Sequence, residues 1–306
     1  MTEISNNVAL VFGGQNTSYI EIGQKLLTHS PKAYEIFKMA QDITGCNIIN
    51  AFTYGEKETV NRELNSQISI FSVELAMFEL LKEYQVEFSA VAGLSLGEYV
   101  ALVASNALSV EDAFKLLCAR ASAMENEVND RVGKMVAILD LNVEEINSIC
   151  SYFGFENVAI SNYNSYNQTV VSLKTEYYND FILKVRNAKG FCVPLKVKRP
   201  FHHILMRPAA EKFSESLKII QFKKFSCNMY SNYSGALCTD YQDLNKILYY
   251  HIFNPVRWVD IIINMINSGI DTFYEISPKP VLKSLINNIS NNKSSIIDVQ
   301  DILFNI

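Results

Sequence analysis

A serine at position 95 lies in the middle of the segment GLSLG, which has the G-x-S-x-G pattern. The residues that lead to it, SAVAGLS at 89–95, are typical of a buried parallel strand, and LGEYVALVAS at 96–105 continues at helical spacing. A serine at a strand-to-helix turn projects its hydroxyl from the carboxyl edge of a sheet, where the first N–H groups of the helix can bind an oxyanion. The pattern therefore predicts that Ser95 is a nucleophile.

A nucleophilic serine needs a base, and the chain has four histidines that could supply it. His29 lies in the polar segment KLLTHSPK, so we expect it on the surface. His202 and His203 lie in RPFHHILM, at the predicted return from a small subdomain into a larger one, where ligand clefts commonly form. The residue types leave open which of this pair is the base, or whether both are ordinary polar histidines.

The pattern of predicted elements changes twice along the chain. Residues 1–128 and 198–306 contain apolar strands that alternate with amphipathic helices, as at VALVF (8–12) and TFYEI (272–276). Residues 129–197 follow the order β-α-β-β-α-β, which is the ferredoxin-like pattern. The sequence thus predicts an α/β fold in which a small ferredoxin-like subdomain is inserted into a large α/β-hydrolase-like catalytic subdomain with a parallel sheet.

The composition excludes several other classes of protein. The 306 residues are 49% hydrophobic and 19% charged, with a formal net charge of −5, which argues against a broad basic face for nucleic acid. No apolar run is long enough to span a membrane, and the N-terminus lacks the pattern of a signal peptide. The six cysteines are scattered without a CxxC pair, as in reduced core residues. We therefore expect a cytoplasmic protein that binds neither nucleic acid nor membrane and holds no metal.

Further segments occur in one order along almost the whole chain. They are VFGGQ at 11–15, GLSLGEY at 93–99, KLLCARASAM around Arg120, SNYNS at 161–165, FHHILMRPAAEKF at 201–213 and NPVRW at 254–258. Together they resemble the malonyl-CoA:acyl carrier protein transacylases and the related acyltransferases of polyketide synthases, including discrete, trans-acting ones. The shared order makes this resemblance highly specific.

The resemblance implies a role for each residue of the catalytic centre. Ser95 would carry the acyl group as an ester, and His202 would be the general base, which leaves His203 without a catalytic role. The other ring nitrogen of the base is held in the family by a main-chain carbonyl, here that of His251, at a position that is usually glutamine. The backbone N–H groups of Gln15 and Leu96 would form the oxyanion hole, although the family's FPGQGSQ is VFGGQNTSY in this chain.

The resemblance also implies the residues that bind the substrate. Arg120 matches the arginine that holds the free carboxylate of a malonyl group, and the apolar residues before it on the same predicted helix place its charge on a buried face. Gln67 and Asn162 match polar positions of the pocket, although Asn162 is also a common turn residue. Phe201 occupies a position where related acyltransferases have an aromatic side chain for malonyl and serine for methylmalonyl, and it is also suited simply to packing in the core.

The predicted activity is ping-pong transfer of a malonyl group from malonyl-CoA to the phosphopantetheine thiol of an acyl carrier protein. Coenzyme A thioester is the substrate, and no cofactor or metal is implied. Departures from the housekeeping consensus favour polyketide over fatty-acid synthesis. The alternatives are an acyl hydrolase that clears carrier proteins and a non-catalytic docking subunit. The basic stretch from Lys196 to Arg207, with Lys198 and Arg199, is expected to be a solvated face or a contact for coenzyme A phosphates or the carrier.

Overall fold

The computed structural model describes residues 7–14, 19–55, 63–129, 132–197 and 199–304. The strands of these residues are, in chain order, β1 (Val8–Phe12), β2 (Ala90–Gly93), β3 (Gly133–Leu139), β4 (Val158–Ser165), β5 (Gln168–Lys174), β6 (Phe191–Pro194), β7 (Asn228–Met229), β8 (Thr272–Ile276) and β9 (Ser295–Asp298). They form two separate sheets, one parallel and one antiparallel. The predicted α/β fold class is therefore confirmed.

Helices pack against both sheets. Their bounds are α1 (Tyr19–His29), α2 (Pro31–Thr44), α3 (Ile48–Tyr54), α4 (Glu63–Leu81), α5 (Glu98–Ala104), α6 (Val110–Glu127), α7 (Val143–Phe153), α8 (Tyr178–Asn187), α9 (Arg207–Leu217), α10 (Leu244–His251), α11 (Trp258–Asn267), α12 (Leu282–Ser290) and α13 (Val299–Leu303). Short 3₁₀ turns include Ser95–Gly97 and Ile204–Met206. No helix of the described ranges is long and apolar enough to cross a membrane.

The parallel sheet has the strand order β7-β2-β1-β8-β9. Its central strand β1 and the neighbouring β2 are short apolar runs that are buried almost throughout, as expected when helices cover both faces of a parallel sheet. Helix α4 is predominantly apolar, consistent with its burial among α1, α2, α5 and α6. Because parallel strands share one direction, the carboxyl ends of β1 and β2 meet at one edge of the sheet.

The antiparallel sheet has the strand order β4-β5-β3-β6 and lies between residues 133 and 194. Its elements follow the predicted sequence of strand, helix, two strands, helix and strand. The first of its helices, α7, begins with a capping box in which Asn142 and Glu145 each accept the other's backbone N–H at 2.9 Å. This arrangement is the predicted ferredoxin-like one, while the subdomain boundaries at 128/129 and 197/198 stay a prediction.

Candidate active site

The turn that carries Ser95 is closed by two glycines. Strand β2 ends at Gly93, the 3₁₀ turn begins at Ser95 with φ of +54°, and α5 follows from Glu98. A Cβ on Gly93 would lie 2.0 Å from the carbonyl carbon of Gly97, and a Cβ on Gly97 would lie 2.2 Å from the carbonyl oxygen of Gly13. The backbone approach is therefore possible only with glycine at both positions, which is the physical basis of the G-x-S-x-G spacing.

The hydroxyl of this serine lies beside an imidazole that is 107 residues further along the chain. The distance from Ser95 Oγ to His202 Nε2 is 2.7 Å. The other ring nitrogen, Nδ1, lies 2.9 Å from the main-chain carbonyl oxygen of His251. Because a carbonyl only accepts, Nδ1 carries the ring proton, and Nε2 keeps the lone pair that faces the serine. The geometry is that of a nucleophile, a base and an orienting carbonyl.

The environment of His202 favours its neutral form. The ring is 4% exposed, and burial holds its pKa well below the usual value of 6.5, with the charges of His251 and Arg120 acting in the same direction. Hydrogen bonds to the carbonyls of His251 and Asn254 oppose this shift only in part. A neutral imidazole near pH 7 is the form that can accept a proton from a hydroxyl.

The neighbouring His203 has a different set of contacts. Its Nδ1 accepts the backbone N–H of Leu205 at 3.2 Å, so the side chain caps the 3₁₀ turn that precedes α9. Burial lowers its pKa to about 4. His29 lies at the exposed end of α1, where its Nδ1 is 2.7 Å from the carbonyl of Lys25. The structure thus brings together Ser95 and His202, and it places His203 and His29 elsewhere.

A cavity of about 210 Å³ opens in front of the serine. One wall is formed by the turn after β2 together with His202, and the opposite wall is formed by strands of the antiparallel sheet. The residues that line the cavity are Gln67, Leu94, Ser95, Leu96, Arg120, Met135, Ala137, Asn162, Asn164, Gln168, Val170, Leu195, Val197, Phe201 and His202. The cavity therefore lies between the two sheets and contains each predicted substrate-binding residue.

Arg120 projects from α6 into this cavity and is only 3% exposed. One of its terminal nitrogens donates to Oε1 of Gln67 at 2.6 Å, and its guanidinium lies 5.8 Å from the ring centre of Tyr99. Its Nε has no hydrogen-bond partner, and no carboxylate pairs with it, within the described ranges. A buried cation held by neutral groups is suited to bind an anion that enters the cavity.

Polar residues of the antiparallel sheet line the opposite wall. Asn162 is 7% exposed, and its side-chain oxygen has no partner in the part of the chain that the structure describes. Sequence reasoning missed its neighbours Asn164 and Gln168, which are joined by a 2.8 Å hydrogen bond. The signal for Asn164 was the two-residue spacing from Asn162, since alternate residues of a strand share a face. Phe201 is buried at 7% exposure and lines the same cavity.

The predicted oxyanion hole is described only in part. Leu96 follows the serine in the 3₁₀ turn and lines the cavity. Gln15 lies outside the described residues. The pairing of these two N–H groups therefore stays a prediction.

A buried network that sequence reasoning missed holds the serine turn. Oδ1 of Asn232 accepts the N–H of Ser95 at 3.0 Å, and its Nδ2 donates to the carbonyl of Gly93 at 2.6 Å. The N–H of Asn232 donates in turn to Oε1 of Glu98 at 2.9 Å. No motif could have found Asn232, because it is 137 residues from the serine and its loop has no periodic pattern.

The expectation for the basic stretch was wrong at Arg199. This residue is 8% exposed, and its guanidinium donates to the carbonyls of Val128 and Glu125 near the end of α6. It therefore stabilises a helix end and is not available to phosphates. Lys198 lies outside the described residues. In the described ranges, no group of three or more histidine, cysteine or acidic side chains could hold a metal ion.

Comparison with known proteins shows which family this chain is similar to. The acyl transferase domain family matches residues 9–301. Malonyl CoA-acyl carrier protein transacylase of Bacillus subtilis (strain 168) is 32% identical over 300 residues, covering 97% of this chain and 94% of that protein. The structure of malonyl CoA-acyl carrier protein transacylase from Coxiella burnetii has a TM-score of 0.92 at 27% identity, covering 97% of this chain and 96% of that one. A type II PKS acyl-carrier protein in complex with its malonyl-transacylase is similar with a TM-score of 0.89 at 26% identity, covering 98% of this chain and 99% of that one.

Proposed function

This chain belongs to the acyl transferase domain family, and from that premise we propose that it transfers a malonyl group from malonyl-CoA to the phosphopantetheine thiol of an acyl carrier protein. The observation that carries the proposal is the 2.7 Å contact between Ser95 Oγ and His202 Nε2, in a cavity that also holds the buried guanidinium of Arg120. In our proposal the serine attacks the thioester of the substrate, and the guanidinium binds the carboxylate at the other end of the acyl group.

The first half-reaction forms an ester on the enzyme. Oγ of Ser95 attacks the thioester carbonyl carbon, and its proton passes to Nε2 of His202. The backbone N–H of Leu96, with that of Gln15 in our proposal, stabilises the oxyanion. When the intermediate collapses, the carbon–sulfur bond breaks and coenzyme A leaves as a thiol with the proton from His202.

The second half-reaction reverses these steps with another thiol. His202 takes the proton of the phosphopantetheine thiol, the sulfur attacks the ester carbonyl, and the carbon–oxygen bond to Ser95 breaks. The serine recovers its proton from His202. Throughout both halves the guanidinium of Arg120 would hold the distal carboxylate by paired charge-assisted bonds, which fixes the thioester over the serine.

This chemistry involves no resident cofactor or metal in our proposal, because the thioester supplies the leaving group and the imidazole moves the proton. We expect the carrier protein to serve polyketide synthesis first, with fatty-acid synthesis as the second possibility. We also place the enzyme in the cytoplasm. The six free cysteines, none in a disulfide, support a reducing compartment.

Intact-protein mass spectrometry tests this function. The wild type is incubated with malonyl-CoA or acetyl-CoA, and a phosphopantetheinylated carrier protein is then added. We expect a stable malonyl adduct that moves to the carrier and is absent in Ser95→Ala. Ser105→Ala is the matched control, because Ser105 is also buried but its hydroxyl donates to the carbonyl of Leu102, away from any imidazole.

Other outcomes would favour the alternatives. Rapid release of free malonate from the wild type would favour an acyl hydrolase with the same serine and base. No adduct with either thioester, in protein that is folded and binds the carrier, would favour a docking subunit. A preference for acetyl-CoA would contradict the proposed role of Arg120.

A further inference from the structure

The side chain of His251 has contacts that the proposed mechanism does not use. Only its main-chain carbonyl is needed to orient His202, and any residue could supply a carbonyl. Yet Nδ1 of His251 lies 2.7 Å from Oε2 of Glu98, and both side chains are 1% exposed. The His251 ring also stacks on the His202 ring, with ring centres 4.9 Å apart and planes 22° apart.

Glu98 connects this histidine to the serine turn. Its Oε1 accepts the N–H of Asn232 at 2.9 Å, and the Asn232 side chain holds the N–H of Ser95 and the carbonyl of Gly93. One carboxylate oxygen therefore faces the base side of the site, and the other faces the nucleophile side. The contacts form a continuous path from the turn at Ser95 to the ring that packs on His202.

We propose that Glu98 and the side chain of His251 form a buried positioning pair, which holds the carbonyl and the ring face that orient His202 and ties them to the serine turn through Asn232. This inference rests on the proposed function for its biological meaning but concerns the serine and its base only. A carboxylate at 1% exposure needs hydrogen-bond donors, and Nδ1 of the His251 ring at 2.7 Å supplies one in addition to the N–H of Asn232.

The charges around this pair support the same arrangement. Although burial by itself would raise the pKa of Glu98, the charge of His251 and the bond from Asn232 outweigh it and leave that pKa lowered. The charge on His251 also disfavours a second proton on His202, as does Arg120 from α6. On the other side of the carboxylate, Tyr99 and Cys238 lie close enough to be affected by its charge.

A serine-directed probe tests the inference without an acyl donor. A fluorophosphonate phosphonylates the hydroxyl of an activated serine: the Oγ–P bond forms, the P–F bond breaks, fluoride leaves and the serine proton passes to the base. The second-order rate constant of this phosphonylation is measured from about pH 4.5 to about pH 9, because this range includes the pH values at which imidazoles usually titrate. The acid limb of this profile reports His202 and the plateau reports how well Ser95 and His202 are aligned.

His251→Gln is the decisive variant, because glutamine keeps the main-chain carbonyl and offers an amide donor to Glu98 but carries no charge. We expect its acid limb to move to higher pH by about one unit, since the repulsive charge is lost and the Glu98 carboxylate remains. Its plateau should fall only a few-fold. His203→Gln is the matched control, since it removes another buried imidazole; its acid limb should coincide with that of the wild type.

Glu98→Gln provides a second, independent variant. It keeps an acceptor for Asn232 but removes the negative charge, so its acid limb should not move upward. If the acid limbs of His251→Gln and the wild type coincide, the inference is overturned. The same follows if both variants merely lower the rate equally at every pH, which a structural role alone would do.

A measurement on the wild type covers the case in which His251→Gln does not fold. Selective ¹⁵N labelling of the four histidines distinguishes rings with one N–H from rings with two. At pH 7 we expect His202 to carry its one proton on Nδ1, towards the carbonyl of His251, and we expect His251 to carry a proton on Nδ1, towards Glu98. A His251 ring without a proton on Nδ1 would overturn the inference. A wild type that reacts with the fluorophosphonate but takes no malonyl group would instead refute the proposed function alone.

Discussion

Ser95 and His202 reach each other with backbone angles that L-residues rarely adopt. Their φ values are +54° and +57°. Such conformations cost on the order of 1–3 kcal/mol each and persist only where the surroundings enforce them. Asn232 enforces the first through its bond to the N–H of Ser95, and the carbonyl of His251 fixes the ring of the second. The strain therefore lies at the two residues whose alignment the reaction needs.

The pH dependence of acylation follows from the state of His202. Its pKa lies well below 6.5 because of burial and the nearby charges, so the base is neutral from about pH 6 to pH 8. We expect the single-turnover rate of Ser95 acylation to be flat over that range and to fall only at lower pH, as the imidazole gains a proton. Rapid-quench measurement with saturating malonyl-CoA tests this. A midpoint near pH 7 would contradict it.

Removal of Arg120 should discriminate between acyl groups. Charge-assisted hydrogen bonds contribute about 1.5–3 kcal/mol each, so Arg120→Ala should lower kcat/KM for malonyl-CoA by on the order of 100-fold. The same change should have little effect on acetyl-CoA, which has no distal carboxylate. Lys115→Ala is the control, because Lys115 lies on the exposed face of the same helix and pairs with Glu111. Equal losses for both thioesters would indicate general damage to the cavity.

At the scale of elements, the turn between β2 and α5 depends on glycine for close packing. In Gly97→Ala the new Cβ would lie 2.2 Å from the carbonyl oxygen of Gly13 and 2.6 Å from that of Phe12, and neither backbone oxygen can move away freely. We expect a loss of more than about 3 kcal/mol in the free energy of unfolding, together with loss of serine reactivity. Urea denaturation measures the first effect.

Gly45→Ala provides the comparison for this prediction. Gly45 ends α2 with φ of +72°, and among the described residues beyond its two chain neighbours no heavy atom lies within 4 Å of the position its Cβ would take. Alanine there incurs only the left-handed backbone penalty, about 1–2 kcal/mol, with no effect on the serine. Similar losses in the two variants would show that backbone conformation, and not close approach, explains the glycines of the turn.

Elements with local signals were predictable from the sequence. Ser109 caps α6 by accepting the N–H of Asp112 at 3.1 Å, a contact between residues three apart in the chain, and β2 ends where the G-x-S-x-G turn begins. Asn232 and Glu98 escaped prediction because their partners are distant in the chain. Arg199 was misjudged for a related reason: a run of basic residues suggests solvent, whereas the carbonyls near the end of α6 that accept its N–H groups are brought to it only by folding.

At the scale of the whole molecule, the cavity exists only because the two sheets face each other. Leu94 and Ser95 belong to the edge of the parallel sheet, whereas Met135, Asn162 and Val170 belong to the antiparallel sheet. The proposed reaction therefore needs both sheets in place, and damage to either core should reach the site. This makes the free energy of unfolding, and its dependence on pH, relevant to function.

A buried pair of acids behind the site should dominate part of that pH dependence. Glu74 in α4 and Glu275 in β8 are both fully buried. Glu275 accepts the N–H groups of Leu282 and Lys283 at 2.8 and 2.7 Å, at the start of α12. Burial of Glu74, with the charge of Glu275, raises its pKa well above 4.5, and the backbone of Gly13 opposes this shift only in part. Glu74 is thus the acid that keeps its proton.

The sign of the effect follows from proton binding. A carboxyl with a raised pKa in the folded state binds more protons there than in the unfolded chain, so stability falls as pH rises from about 4.5 through the folded pKa. Glu74→Gln removes this group while keeping its size. We expect the variant to be more stable than the wild type at pH 8, and the difference to shrink towards pH 5, in urea denaturation series at several pH values.

Glu275→Gln should instead destabilise the protein at pH 7, because it weakens the bonds from two N–H groups at the start of α12, although burial also raises the pKa of Glu275. A loss of about 2 kcal/mol is expected at pH 7. If Glu74→Gln instead destabilises the protein equally at pH 5 and pH 8, then Glu74 is ionised in the folded state and must have a cationic or hydrogen-bonding partner. If both variants are neutral, water reaches the two carboxyls, and the core between α4 and β8 is less closed than the burial of these side chains indicates.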